Sequence, residues 1–395
     1  ENRPFMLCEY THAMGNSCGD IYDYFEQIYA NDRLFGAFVW EWCDHALVLK
    51  DGDGAEYFGY GGDFGEKIHS RNFCLDGLVS PEREPHPSYF EVKNVYSPVR
   101  IYSGKDGYRI YNRNDFERLQ LTLKYEISTD GIVQSFGEID CGDIAPHDFK
   151  TFNLPEYPGR GLCAVVFRAV LKADTEWAQA GDEVYTFSEM LKSDISGRNA
   201  VERPCKETKL LSDKVSLKVK AGDVLYTFST VTGMLTGIEL NGRAILKAPM
   251  GLTVFRPPID NELPIFESMQ KPSAENYRYT LTHIYSFDTK RVEDGLEIKV
   301  PFSFSCFGMR PISKGELTYR ISADGSLTIS QRADIRNDLA NYLPRYGYLW
   351  QLCGDCEHVE YYGLGPHESY CDRFHSEVYG RFAADIKGLE ANYLR

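Results

Sequence analysis

The sequence contains no apolar run approaching 18 residues, so it indicates no membrane-spanning helix. It has no excess of basic charge: 58 acidic residues stand against 43 basic ones, a formal net charge of -15. That balance disfavours general nucleic-acid binding, which needs a basic face, and docking on an anionic membrane. A neutral substrate is compatible with it. No internal repeat and no low-complexity tract is visible. Apolar residues make up 43% of the chain and interleave with charged ones, which is not a disordered composition. No signal peptide is visible, and no initiator methionine either: the chain opens Glu1-Asn2-Arg3-Pro4 and is expected to be a piece of something longer, located in the cytoplasm. The 11 cysteines are odd in number and scattered, most of them in apolar runs such as those around Cys8, Cys163 and Cys306. Free, buried thiols in a reducing compartment are therefore expected. Cys353-Gly-Asp-Cys356 lacks a second CxxC or a suitable histidine pair, so it is expected to be structural as well.

What is present suggests two or three domains in 395 residues. Residues 1–96 alternate strand and helix. FMLCEY (5–10) reads as a buried parallel strand ending in a carboxylate. Ile21, Tyr24, Phe25 and Ile28 then fall at helical spacing between Gly19 and Tyr29. LFGAFVWEW (34–42) reads as a second buried strand, a Gly/Asp-rich loop follows over 51–77, and another helix is expected from Pro87 to Tyr96. Two βα units cannot close a sheet alone, so this region reads as the end of an α/β domain.

From 97 to 192 the pattern is all-β. Strands are expected at 108–112, 119–125 and 164–171, with turns at Asp130-Gly131 and Pro158-Gly159. About seven short strands in this span read as an immunoglobulin-like β-sandwich. Residues 193–207 are polar and irregular, a linker. A larger β domain is expected over 208–395, with strands at 215–219, 225–228 and 317–321 and hairpin signals at Gly233, Asn241-Gly242 and Asp324-Gly325. The fold class is thus multidomain, α/β plus all-β.

Both early strands end in polar residues. The first ends at Glu9, with His12 and Asn16 just beyond; the second ends in Trp40-Glu41-Trp42-Cys43-Asp44-His45. A strand-end carboxylate can attack an anomeric carbon, splitting one hard displacement into two easier ones. An indole beside it can stack on a pyranose. The alternative is a structural carboxylate satisfied by loop amides, with the tryptophans in the core. The 14% aromatic content, which includes 27 Tyr, 23 Phe and 4 Trp, suits sugar stacking and β-sheet cores alike. Glu9 and His12 at i, i+3 could also form half a metal site, but no second pair with matching spacing accompanies them.

The strings CEYTHAMGNS (8–17), FVWEWCDH (38–45), YGGDFGE (60–66), NFCLDGLV (72–79) and EPHPSYFEVK (84–93) resemble the family 2 glycoside hydrolases of β-galactosidase type. FRPPIDNE (255–262) and YYGLGPHESYCDR (361–373) resemble that family's last large domain. The resemblance implies a five-domain architecture, of which this chain would hold the last two βα units of a (β/α)8 TIM barrel, the immunoglobulin-like fourth domain and most of a large C-terminal β-sandwich. By the same resemblance Glu9 matches the nucleophile, His12 a histidine near the galactosyl 6-hydroxyl, and Trp40 the tryptophan on which galactose packs. Phe73, through its carbonyl, and Asp76 match the holders of a sodium ion. The sequence has Asp76 where the best-known family form has asparagine; aspartate is still a hard oxygen ligand, while the bland reading is a turn residue before Gly77.

The acid/base glutamate and the usual magnesium ligands belong to upstream strands, and Glu41 and Asp44 match neither. The resemblance therefore implies a retaining β-galactosidase acting on terminal β-galactosides such as lactose. Its full form would be a homo-oligomer using Na⁺ and Mg²⁺, and the isolated chain would be inactive for want of its acid/base. A non-catalytic fragment or subunit needing a complementary chain, and a carbohydrate-binding derivative of the scaffold, are the other readings. An intact Glu9, His12 and Trp40 speak against the last.

Overall fold

Two short strands with a helix between them form the first element. The computed structural model describes all residues except 1–2, 158–160, 195–207, 260–261, 272–273, 340–341, 355–356, 390, 392 and 394–395. The chain folds as two compact units, residues 1–198 with 358–395, and residues 199–357.

In the first unit, β1 (Phe5–Tyr10) pairs in parallel with β2 (Leu34–Val39), and α1 (Ile21–Ala30) makes the crossover. A hairpin of β3 (Leu47–Lys50) and β4 (Glu56–Gly59) follows. Helix α2 (Pro87–Tyr96) starts on a proline, whose missing N–H costs nothing in the first turn. Ile21, Tyr10, Ala13, Cys18, Leu78, Val92 and Val95 close a small core between these elements.

Two departures from expectation stand out. The first strand is parallel but not buried: Phe5 is 53% exposed and Met6 43%, and on β2 Phe35 is 74% and Phe38 60% exposed. A sheet of two strands with helices at one side has no partner for its remaining apolar surface. The second strand ends at Val39, not at residue 42. There the chain leaves the ladder: Trp40 N–H donates to the Tyr10 carbonyl at 3.2 Å, and the Trp40 carbonyl accepts from Ala13 N–H at 2.7 Å. Cys8 is likewise exposed rather than buried, because it lies on an uncovered strand. Cys163 and Cys306 are buried as expected; Cys205 and Cys356 lie outside the described residues.

Seven strands then build two facing sheets. They are β5 (Val99–Gly104), β6 (Gly107–Asn112), β7 (Leu119–Thr129), β8 (Ile132–Ile144), β9 (Phe149–Phe152), β10 (Gly161–Leu171) and β11 (Glu183–Asp194). The orders are β5-β6-β9 and β11-β10-β7-β8. Leu119, Leu121 and Leu123 point inward while Gln120 and Lys124 point out, the period-2 alternation of a one-sided strand. The β7–β8 turn is Asp130-Gly131, both with positive φ (51° and 79°), which matches the twist of the flanking strands. Pro158-Gly159 and most of the expected linker lie outside the described residues; Ser193 and Asp194, expected in that linker, end β11.

The expected span 208–395 is divided at 358 in the structure. Strands 358–365 and 378–385 form a hairpin that lies against β10 and β11: Tyr362 hydroxyl donates to the Leu162 carbonyl at 3.3 Å, and Tyr379 N–H to Ser188 Oγ at 3.0 Å. That cover explains why β10 is buried along nearly its whole length instead of alternating. The connecting residues reach α2. Glu91, fully buried, accepts from His375 N–H (3.2 Å), His375 Nδ1 (2.9 Å) and Ser376 N–H (2.8 Å). Arg100, also fully buried, donates to the Val95 carbonyl at 3.1 Å and lies over the rings of Tyr22 and Tyr185.

The second unit is all-β. A five-stranded sheet over 209–244 and another over 280–335 share one apolar core, and strand Leu246–Thr253 pairs with Gly347–Leu352. Phe228 and Tyr319 meet edge-on in that core, and Tyr319 donates to the Gly233 carbonyl at 3.1 Å. Hairpin turns fall at Asn241-Gly242 and around Gly325, as the sequence predicts. Among the described residues no helix is long and apolar enough to cross a membrane.

Burial alone would raise the Glu91 carboxyl, but His375 and the two backbone amides hold it below the ordinary glutamate value. Because the folded-state value is the lower one, this stabilisation is complete above the unfolded-state value and is lost as pH falls through the folded one. Glu91→Gln is expected to cost about 2–3 kcal/mol near neutrality. Thermal melts of the two proteins from pH 7 downward should converge as pH falls through the lowered folded-state value of Glu91.

Candidate active site

The ends of β1 and β2 meet the loop over residues 71–79. Glu9 is the penultimate residue of β1, and its side chain is 51% exposed. Tyr10, the next residue, points the other way into the core and bonds the Tyr96 hydroxyl at 3.0 Å. Alternation along the strand thus puts the carboxylate out and the phenol in. His12 follows with Nε2 4.0 Å from Glu9 Oε2 and Nδ1 4.0 Å from Asp76 Oδ2. Trp40 Nε1 donates to the same Asp76 Oδ2 at 3.1 Å. The His12 and Trp40 rings lie 6.4 Å apart at 31°. Glu9, His12, Trp40 and Asp76 are therefore brought into one cluster. Phe73 sits on the 3₁₀ turn Arg71–Cys74, three residues before Asp76, with its ring exposed.

The loop is fixed by a second layer of contacts that sequence reasoning had not assigned. Glu41 N–H donates to the Asp76 carbonyl at 2.6 Å, and Leu78 N–H to the Glu41 carbonyl at 3.0 Å. Asp44, buried, accepts from Gly77 N–H at 2.8 Å through Oδ1 and meets His86 Nε2 at 2.9 Å through Oδ2. Gly77 lies so close to the Cys43–Asp44 backbone that a β-carbon would overlap the Asp44 amide nitrogen. Both Asp44 and Gly77 occur inside the strings FVWEWCDH and NFCLDGLV; only the three-dimensional contact separates them from ordinary turn residues.

Asp76 is 2% exposed, and its Oδ1 is buried with no hydrogen-bond partner among the described residues. An orphaned carboxylate oxygen is costly unless something positive meets it. Glu41 is affected as well: burial pushes its carboxyl up, His45 at 3.6 Å pulls it down, and Asp76 pushes it up again. Among the described residues no three His, Cys, Asp or Glu side chains are grouped to hold a metal by themselves.

An accessible carboxylate, an imidazole and an indole thus surround one buried acid where two parallel strands end, an arrangement that can offer a nucleophile, a hydrogen-bond donor and a stacking face to a bound molecule. Three family models match this chain in order: "Glycosyl hydrolases family 2, TIM barrel domain" over 1–101, "Beta-galactosidase, domain 4" over 108–191 and "Beta galactosidase small chain" over 220–395. The β-galactosidase of Actinobacillus pleuropneumoniae is 33% identical over 100% of this chain and 39% of its own length. That of Staphylococcus xylosus is 31% identical over 94% of the chain and 38% of its length, and that of Vibrio cholerae 31% over 100% and 39%. The chain belongs to the family 2 glycosyl hydrolases, in their β-galactosidase branch. It spans about two fifths of the length of these curated relatives.

Gly77→Ala is expected to destabilise the first unit by about 1–3 kcal/mol, because the backbone it would strike belongs to a fixed loop. A lowered urea midpoint would register it.

Proposed function

We propose that the complete protein is a retaining β-galactosidase and that Glu9 is its nucleophile. The single observation carrying this reading is the cluster in which His12 faces both Glu9 and Asp76 while Trp40 is pinned to Asp76. It leaves Glu9 accessible and an indole beside it. Residues 1–96 are read as the last two βα units of a TIM barrel and 97–192 as an immunoglobulin-like sandwich.

In the mechanism, a Glu9 oxygen attacks C1 of a terminal β-galactoside. The C1–O bond to the aglycone breaks, and the leaving oxygen takes a proton from an acid contributed outside these residues. The product is an α-galactosyl ester on Glu9. Water, deprotonated by that same group, attacks C1, and the ester bond breaks to release β-galactose and restore the Glu9 carboxylate. His12 donates to a sugar hydroxyl, and Trp40 stacks on the apolar face of the ring.

The orphaned Asp76 Oδ1 fits a monovalent cation, with the Phe73 carbonyl as a further ligand. Such an ion supplies positive charge to a substrate hydroxyl. Asp76 meanwhile orients His12 and Trp40 by itself. Magnesium ligands are placed on the part of the protein outside this chain.

A second reading, that residues 1–395 act only together with a complementary chain, is favoured by the exposed apolar residues of β1 and β2. It predicts that purified 1–395 does not turn over a chromogenic galactoside and that the complete protein does.

A 2-fluorogalactoside is expected to label Glu9 in the complete protein, and Glu9→Gln should lower kcat by at least about 10³-fold. Labelling of another carboxylate would remove the assignment. Asp76→Ala should flatten the dependence of KM on sodium concentration, read in a Na⁺ titration against a choline background.

A further inference from the structure

The loop that joins Glu9 and His12 to α1 cannot hold its own shape. Thr11, Gly15, Cys18 and Asp20 all have positive φ (43°, 59°, 60° and 57°), and three of the four are not glycine. Each such residue costs free energy unless surrounding structure over-determines it. The fixing contacts come from a segment more than 350 residues away.

Arg373 is 3% exposed, and its Nη1 donates to the Ser17 carbonyl at 3.1 Å. Its Nη2 is held by Glu368, at 3.2 Å from the carboxylate and 3.4 Å from the carbonyl, and Tyr393 donates to that same carboxylate at 2.8 Å. Asp20 N–H donates to the Asp372 carbonyl at 2.8 Å. Gly19 packs so tightly on the Asp372 carboxylate that a β-carbon would overlap it. The Tyr370 hydroxyl donates to the Glu368 carboxylate at 3.3 Å, and its ring lies against the Arg373 guanidinium, 5.3 Å from ring centre to Cζ. At the far end of the loop, Tyr22 stacks on His375 with ring centres 3.8 Å apart.

We infer that residues 368–375 form a clamp that sets the Glu9–His12 loop, with Arg373 as a positioning residue for the nucleophile; the inference rests on the galactosidase reading above. A guanidinium suits this task. It is planar, always charged, and offers several donors in a fixed fork, so one side chain can join the Ser17 carbonyl to the Glu368 carboxylate. It touches no reacting atom. Its effect reaches Glu9 through the backbone between Ser17 and His12. The clamp explains why the two parts of the chain most distant in sequence fold into one unit, and why Arg373 is buried although charged: its partners are all supplied by the loop and by its own segment.

The test uses the complete protein. The rate of Glu9 labelling by a 2-fluorogalactoside is measured per folded active site, counted by the final labelled fraction, for wild type, Arg373→Met, Arg373→Lys and Tyr370→Phe. The inference expects Arg373→Met to label about tenfold more slowly or worse, with the lost rate in kcat more than in KM. Arg373→Lys, which keeps one donor, should fall between Met and wild type. Tyr370→Phe should slow labelling about threefold. A merely structural Arg373 would lower the melting temperature and the labelled fraction but leave the rate per labelled site at the wild-type value, and that result would overturn the inference. If Arg373→Met does not fold, the Lys and Phe variants decide: wild-type rates in both overturn it. Failure of the wild type to label at Glu9 would instead remove the galactosidase reading beneath it.

Discussion

One buried carboxylate, Asp76, ties the two strand ends into a site. Its Oδ2 accepts from the indole N–H of Trp40 at 3.1 Å and lies 4.0 Å from the His12 imidazole. Asp76 is itself immobile because its backbone carbonyl is held by Glu41 and the following glycine is pressed onto Asp44. A carboxylate accepts several donors at once and pays heavily if buried without them. That combination makes it a strong organiser, since the loop cannot relax without stranding the charge.

The same logic recurs deeper in the first unit. Glu91 and Arg100 are fully buried charges; Glu91 is met by His375 and two backbone amides, and Arg100 by the Val95 carbonyl and, at 3.6 Å, the Glu26 carboxylate. Glu91 draws residues 375 and 376 onto α2, and Arg100 sits between the rings of Tyr22 on α1 and Tyr185 on β11. Apolar cores fill each layer, but these ions decide which layers meet. Removing a partner from such a group leaves an uncompensated buried charge, so the penalty for mis-assembly is large. Glu9 stands on an exposed strand, yet the loop beyond it is anchored through the buried Arg373.

Much of the fold was legible. The alternation of Leu119, Leu121 and Leu123 announces a strand with one face inward, and Asp130-Gly131 announces its turn, because both signals act over a few residues. Pro87 marks the start of α2 for the same reason. Other features were not legible. The apolar run LFGAFVWEW reads straight through Val39, since nothing local distinguishes a tryptophan in a strand from one just past its end. β1 and β2 read as buried because their composition is that of buried parallel strands, whereas exposure depends on which neighbours cover them. Of the site, Glu9, His12 and Trp40 stood out as strand-end residues, while their specific roles, and Phe73 and Asp76 altogether, came from resemblance to known motifs. Asp44, Gly77 and Arg373 carried no such label.

By itself the sequence determined the element types, the turn positions and the cluster of polar residues at two strand ends. These follow from side-chain periodicity and turn chemistry, which are local. Only the tertiary structure decided that residues 358–395 return to the first unit, that Asp76 accepts from Trp40, and that Arg373 reaches Ser17. Those contacts join positions tens to hundreds of residues apart. They bring buried polar groups to partners far away in sequence, a condition on the folded whole that no short stretch of chain can express.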